Sequence, residues 1–241
     1  MKTTNASAYS LQLTRYGFVN CYLLREPSSG GQPESFTLID AGLPGTEDDI
    51  LAAADAAGAP IRRILLTHAH ADHVGSVDAL MSKLSARGIT PELASNDRSL
   101  PLLKQPPDLS LVDGESGGKI KGGLPGIKSV PDRLLAADEL YGSLRVIETP
   151  GHIPGHLSFL DERDGTLYSG DALVGMGKLA ISGFAPWYFP LPNFATWNKE
   201  VAVASARKLL DYRITRFACG HGAVREGGIS ALQIAIREAN A

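Results

Sequence analysis

Short apolar runs separated by turn residues fill the first forty positions. Leu11 to Leu13, Val19 to Leu24 and Phe36 to Ile39 are β-prone, with Gly17 and Gly30-Gly31 between them, and predict consecutive antiparallel strands. The apolar spacing then becomes helical: Ile50, Leu51 and Ala54 share one face of a helix running to about Ala57. Thr46 is its candidate cap, and Glu47, Asp48 and Asp49 sit in the first turn, where the helix dipole favours acids. Ile61 to Leu66 reads as a buried strand. After a histidine-rich turn, Val77, Leu80, Met81 and Leu84 recur at helical intervals from Gly75 onward.

The pattern fails between 104 and 131, where Pro106, Pro107 and Pro125 mix with Gly114, Gly117, Gly118, Gly122, Gly123 and Gly126. So little apolar area cannot offset the entropy of ordering that stretch alone, and a long surface loop or flap is expected. Strands resume at Leu144 to Glu148, Leu157 to Leu160 and Thr166 to Ser169, followed by an irregular, aromatic-rich segment from Val174 to Asn193. Thr196 to Tyr212 reads as an amphipathic helix, Ile214 to Cys219 as a strand and Ser230 to Ala239 as a last helix. Strands followed by helices thus occur twice. This predicts an α+β domain spanning 1–241, with two similar halves stacked sheet against sheet and helices outside.

Composition narrows the classes. The 241 residues are 44% hydrophobic and 20% charged, which excludes a disordered or collagen-like chain. With 23 Lys plus Arg against 26 Asp plus Glu, the net charge of -3 offers no cationic footprint for nucleic acid. Membrane spans are absent, and Met1 to Ser10 lacks the apolar run of a secretory signal, so a cytoplasmic protein is expected. Two cysteines, Cys21 and Cys219, make neither a disulfide framework nor a zinc ribbon, and both read as small buried hydrophobes.

The chemistry is concentrated in Thr67-His68-Ala69-His70-Ala71-Asp72-His73, directly after the strand that ends at Leu66. Three imidazoles and a carboxylate within six residues have no economical core or surface role, whereas they suit metal binding. Further donors follow at predicted strand ends: Gly151-His152, Gly170-Asp171 and Gly220-His221. Each alone is commonly a mere turn. Taken together with the histidine run they supply seven oxygen and nitrogen donors: His68, His70, Asp72, His73, His152, Asp171 and His221.

In these motifs the chain resembles the metallo-β-lactamase-fold hydrolases, a superfamily that includes glyoxalase II, lactonases, ribonuclease Z and the zinc β-lactamases. The resemblance spans nearly the whole chain and implies an αββα sandwich, two mixed β-sheets flanked by helices, with metals at one edge. By it, His68, His70 and His152 bind one metal, Asp72, His73 and His221 bind a second, and Asp171 bridges them. Leu38-Ile39-Asp40-Ala41-Gly42 matches the family's first motif, which gives Asp40 the role of orienting the metal loop. Asp171 stands where true β-lactamases usually have Cys or Ser, so β-lactam cleavage is expected only as a side activity. Neither the C-terminal helical domain of glyoxalase II nor the extra arm of ribonuclease Z is expected here, and Val174 stands where lactonases frequently have a helper tyrosine.

Two divalent ions sharing Asp171 would hold a water of lowered pKa as nucleophile and polarise a scissile carbonyl, with Asp72 as ligand and proton shuttle. Zinc suits this donor set, and Fe, Mn, Co or Ni are also compatible. The expected function is a binuclear hydrolase of a small ester, lactone or thioester. A mononuclear iron persulfide dioxygenase and a phosphodiesterase are the competing readings on the same fold. His156 is assigned to the surroundings of His152, where a hydrogen bond would fix the loop. Met176, Leu179, Ile181, Phe184, Trp187, Tyr188 and Phe189 are candidate walls of an apolar substrate pocket, or of a dimer interface, and Lys178 could meet a substrate carboxylate.

Overall fold

The computed structural model describes residues 1–28, 31 and 33–240. Residues 1–107 and 124–135 form one compact unit, and 108–123 with 136–241 form a second. Gly30, one of the turn glycines expected between the early strands, lies outside the described residues.

The first unit holds β1 (Lys2–Asn5), β2 (Ser10–Arg15), β3 (Val19–Glu26), β4 (Ser35–Ile39), α1 (Glu47–Ala56), β5 (Ile61–Leu65), α2 (Ala71–Val74), α3 (Val77–Ala86), β6 (Glu92–Ser95), α4 (Ser99–Leu103) and β7 (Arg133–Leu134). Its seven strands pair in chain order. The first three junctions are antiparallel, and β4, β5, β6 and β7 run parallel. Parallel pairing needs a crossover, and α1 with α3 provides the connections. The apolar faces foreseen for these helices, Ile50, Leu51 and Ala54 on one and Val77, Leu80 and Leu84 on the other, are buried. Lys83 pairs with Asp48 at 2.6 Å and Arg87 with Asp55 at 3.0 Å, so the two helices lie side by side.

The second unit holds β8 (Leu140–Tyr141), β9 (Leu144–Glu148), β10 (Leu157–Asp161), β11 (Thr166–Gly170), β12 (Leu173–Val174), β13 (Ala180–Ile181), α5 (Leu191–Ala195), α6 (Lys199–Lys208), a single 3-10 turn (Leu209–Asp211), β14 (Arg216–Cys219), β15 (Arg225–Glu226) and α7 (Gly228–Ala239). The main sheet runs β15-β14-β11-β10-β9-β8 and is mixed, because β11 and β14 are parallel while the other pairs are antiparallel. Leu167, Phe217, Ala202, Ala206, Leu209, Leu232 and Ala235 belong to one buried cluster that packs α6 and α7 against this sheet.

Several expectations needed correction. Thr46 stands at the start of α1 but does not cap it: its hydroxyl donates to the carbonyls of Ala41 at 2.8 Å and Leu43 at 2.6 Å, tying down the loop after β4. The helix expected from Gly75 is α3 and begins at Val77, and the histidine-rich turn before it contains the short α2, so that Asp72 and His73 are helical rather than part of an open turn. The one expected from Thr196 begins at Lys199, capped by Asn198, whose side chain accepts from the Val201 N–H. The 104–131 segment is indeed irregular beyond Leu103, yet it is anchored. Within the second unit Trp197 Nε1 donates to Gly118 at 2.8 Å and Asn198 Nδ2 to Ser116 at 2.5 Å. Within the first, the Lys128 and Ser129 N–H groups donate to Asp78 at 2.9 and 2.8 Å.

Candidate metal centre

In the first unit β4 and β5 are parallel neighbours with Ile39 opposite Leu65, so the residues that follow both strands emerge together at the carboxyl edge of the sheet. Asp40 is the first residue past β4, and its N–H donates to the Leu65 carbonyl at 2.9 Å. It adopts a positive φ of 59°, a left-handed conformation that Asp tolerates better than most side chains. The turn points its carboxylate at the histidine loop. Oδ1 accepts from the Thr67 N–H at 2.8 Å, and Oδ2 accepts from the Thr67 hydroxyl at 2.8 Å and from His73 Nδ1 at 2.7 Å.

These bonds assign protons. Having given its hydrogen to Asp40, the Thr67 hydroxyl can only accept from His68 Nδ1, 2.9 Å away. His68 and His73 therefore both carry their proton on Nδ1, which leaves Nε2 of each as a lone-pair donor. His68 Nε2 and His70 Nδ1 lie 3.1 Å apart. Two imidazoles on one tetrahedral zinc, with Zn–N bonds of about 2.0–2.1 Å, sit roughly 3.3 Å apart, so the pair is spaced to share an ion. His68, His70 and His73 are buried, whereas the Asp72 side chain keeps 29% of its exposure. Gly75 holds α2 close to the preceding loop: a Cβ there would meet Pro44 N at 2.5 Å.

The second unit repeats the arrangement. Gly170 ends β11 opposite Cys219 at the end of its parallel neighbour β14, and the Gly220 N–H donates to the Gly170 carbonyl at 2.8 Å. Asp171 and His221 thereby leave the same sheet edge. Strand β9 runs in the same direction two strands away and delivers the Thr149 to His156 loop there as well. His221 Nε2 is 3.1 Å and His152 Nε2 is 3.5 Å from Asp171 Oδ2, so a single carboxylate oxygen stands between two imidazoles. Gly151 (φ 137°) abuts α6 so closely that a Cβ would collide with the backbone of Ala202. The Trp197 and Asn198 N–H groups bind the His152 and Gly151 carbonyls, each at 2.9 Å, which seats this loop under the start of α6.

His156 is buried, and its Nε2 accepts from the Asp171 N–H at 3.1 Å. Its proton is then on Nδ1, facing Thr149 Oγ1 at 2.9 Å. Cys219 lies beside these donors, and burial, then the Asp171 charge, pushes its thiol up to about 12. It is a protonated small hydrophobe at neutral pH.

The metallo-β-lactamase superfamily model matches residues 14–221 of the chain. The chain belongs to this superfamily. It is 44% identical over 222 residues to the protein YobT of Bacillus subtilis, covering 92% of this chain and 90% of YobT. It is 34% identical over 212 residues to the hydroxyacylglutathione hydrolase of Methylococcus capsulatus, covering 85% of this chain and 69% of that enzyme. A crystal structure of TTHA1623 in a di-iron-bound form shares the fold with a TM-score of 0.62 at 23% identity, over 90% of this chain and 93% of that one. The fold is thus the α+β fold of the superfamily, with mixed sheets flanked by helices, and the chain is an enzyme whose relatives carry hydrolase names.

Within this superfamily member the wall candidates separate. Trp187 and Tyr188 are exposed, at 87% and 52%, and stack edge to face on each other. Phe184 packs beside α6 with the Lys199 ammonium over its ring, and the half-buried Met176 accepts the Tyr188 hydroxyl through its carbonyl. Phe189 lies against a donor, its ring centroid 5.3 Å from that of His221. Lys178 forms a 2.6 Å ion pair with Glu238 at the exposed surface. Ser182 and Thr196, which contact His152 Nδ1 at 2.8 and 3.3 Å, were not singled out in the sequence. A hydroxyl eleven residues past Asp171 has no local signal, and Thr196 looked like a helix start.

Proposed function

We propose that the chain is a single-domain metal-dependent hydrolase of small esters, lactones or thioesters. In this reading His68, His70 and His152 hold one divalent ion, Asp72, His73 and His221 hold another, and Asp171 is shared. The observation that carries it is the matched preparation of the donors: His68 and His73 at one sheet edge and His152 at the other are each hydrogen-bonded on Nδ1 so that Nε2 is a donor. Divalent ions bound there would lower the pKa of a water and polarise a carbonyl. Asp72, the most accessible of the first unit's donors, is the group placed to accept the proton of that water. The buried residues around Asp171 keep bulk water from the donors, and Phe189 supplies an apolar surface beside His221.

Zinc is the proposed metal because imidazole and carboxylate suit it. Iron is the second choice, favoured by the di-iron form of the fold relative. A small-molecule substrate and a cytoplasmic setting complete the proposal; both cysteines are buried thiols, and no helix among the described residues is long and apolar enough to cross a membrane.

The test is to strip the protein of metal, reload it separately with Zn, Fe, Mn, Co and Ni, and assay lactone, thioester, phosphodiester, β-lactam and persulfide substrates. Turnover of carboxylic esters, lactones or thioesters is expected with zinc, and at most weak cleavage of β-lactams. Oxygen uptake with persulfide and iron alone, phosphodiester cleavage alone, or no turnover with every metal would each overturn the proposal.

A further inference from the structure

Beneath His152 lies a chain of hydroxyls that the metal-binding motifs do not include. His152 Nδ1 is 2.8 Å from Ser182 Oγ, which is 2.9 Å from Thr196 Oγ1, and Thr196 Oγ1 donates to the Pro192 carbonyl at 2.6 Å. His152, Ser182 and Thr196 are all buried. The proton count allows one direction. A carbonyl only accepts, so the single Thr196 hydrogen goes to Pro192. Thr196 Oγ1 must then accept from Ser182, and Ser182 Oγ must accept from His152 Nδ1. Reversing any step leaves two buried lone pairs facing each other at hydrogen-bond distance, a cost no solvent relieves.

We propose that Ser182 and Thr196 are positioning residues that hold His152 as its Nδ1–H tautomer, turning Nε2 toward Asp171 as a metal donor. This rests on the reading of His152 as a metal ligand and extends it to residues outside the ligand motifs. The same two hydroxyls also fix the ring plane, since Thr196 Oγ1 flanks Nδ1 at 3.3 Å. Because the relay ends on Pro192, it ties the donor to α5, whose neighbours Leu191 and Phe194 are exposed at 61% and 73%. In the first unit the equivalent relay ends on a carboxylate, Asp40; here it ends on a neutral carbonyl, so the whole chain of hydroxyls is needed to define the proton's place.

The experiment compares the full-length protein with its Thr196→Val, Thr196→Ser and Ser182→Ala variants. Zn(II) and Co(II) affinities are measured by chelator competition, together with the Co(II) absorption spectrum and the thermal melt of the metal-free proteins. Thr196→Val keeps the shape and removes the hydroxyl; Thr196→Ser keeps the hydroxyl. Removing a partner that orients a ligand lowers metal affinity by about 10- to 100-fold, so that loss is expected for Thr196→Val and Ser182→Ala, with an altered Co(II) spectrum. Thr196→Ser is expected within about 3-fold of the parent, below the loss typical of a removed partner. Parental affinity in Thr196→Val, or an equal loss in Thr196→Ser, overturns the relay. A parent protein that binds neither ion tightly would instead overturn the metal-hydrolase reading itself.

Discussion

Replacing Asp40 by Asn tests how the first unit prepares its donors. The change is nearly isosteric, and Asn tolerates the positive φ of 59° at this position, so the backbone turn after β4 survives. What changes is one oxygen. Asp40 accepts three hydrogen bonds, from the Thr67 N–H, the Thr67 hydroxyl and His73 Nδ1. An amide has one accepting oxygen, and either of its two orientations sets an N–H against a donor. With the oxygen kept on the Thr67 N–H, the Nδ2 group faces His73 Nδ1, 2.7 Å from the former Oδ2, and His73 must move its proton to Nε2. That proton then occupies the lone pair meant for a metal. Each of two bonds falls from about 1.5–3 kcal/mol for a charged acceptor to about 0.5–1.5 for a neutral one, roughly 2 kcal/mol together. For a chain of this size that corresponds to a fall in Tm of about 4–8 °C in the presence of chelator. Metal affinity, read by chelator competition, is expected to fall about 10- to 100-fold. A variant with parental metal affinity and an unchanged Tm would refute the claim that Asp40 sets the His73 proton. Asp40→Ala is the poorer probe, since it strands all three donors and adds left-handed strain, which together approach the whole stability of a domain.

Other predictions follow from single contacts. Asp72→Asn should lower turnover strongly while retaining much of the first ion, measured as kcat beside metal stoichiometry; full activity would remove Asp72 from the proton-transfer role. Gly151→Ala places a Cβ against the Ala202 backbone at φ 137°, and should cost about 2–3 kcal/mol in denaturant unfolding, at the level of other overpacked and strained sites. Asp78 should produce a pH-dependent stability difference. Burial alone would raise its pKa, but the N–H groups of Lys128 and Ser129 outweigh that and lower it. A lowered folded pKa stabilises the protein above the unfolded value and is lost as pH falls through the folded one. The Tm gap between the parent and Asp78→Ala should therefore be full at neutral pH and close below the ordinary carboxylate range; a gap independent of pH would rule out the ionised form as the anchor of the 127–129 segment.

The sequence was most informative where periodicity is long or where chemistry is dense. The faces of α1 and α3 and the strands β3, β5, β10 and β14 followed from apolar spacing, because ten-residue helices and largely buried strands leave a clear pattern. Strands β7, β8, β12, β13 and β15 span two residues each and carry no period to detect. The donor motifs were legible because unusual residues crowd into short stretches next to predicted strands. Their hydroxyl supports were not: Ser182, Thr196 and Thr67 are ordinary residues whose meaning comes from which imidazole they face. Thr46 misled in the same way, since a hydroxyl before a helix can cap it or, as here, bind the carbonyls of the preceding loop.

Both units reach the same solution from different sequences. Each places donors beyond the carboxyl ends of adjacent parallel strands, β4 and β5 in one, β11 and β14 in the other, where backbone direction brings successive loops to one edge. Each then spends a threonine hydroxyl on defining a histidine tautomer, Thr67 under His68 and Thr196 under Ser182 and His152. The endpoints differ in a way that matters. Asp40 is a buried carboxylate that serves Thr67 and His73 at once, so one substitution there disturbs two imidazoles. Pro192 serves only the Thr196 side, so damage to that relay should be confined to His152 and leave the first unit's donors intact.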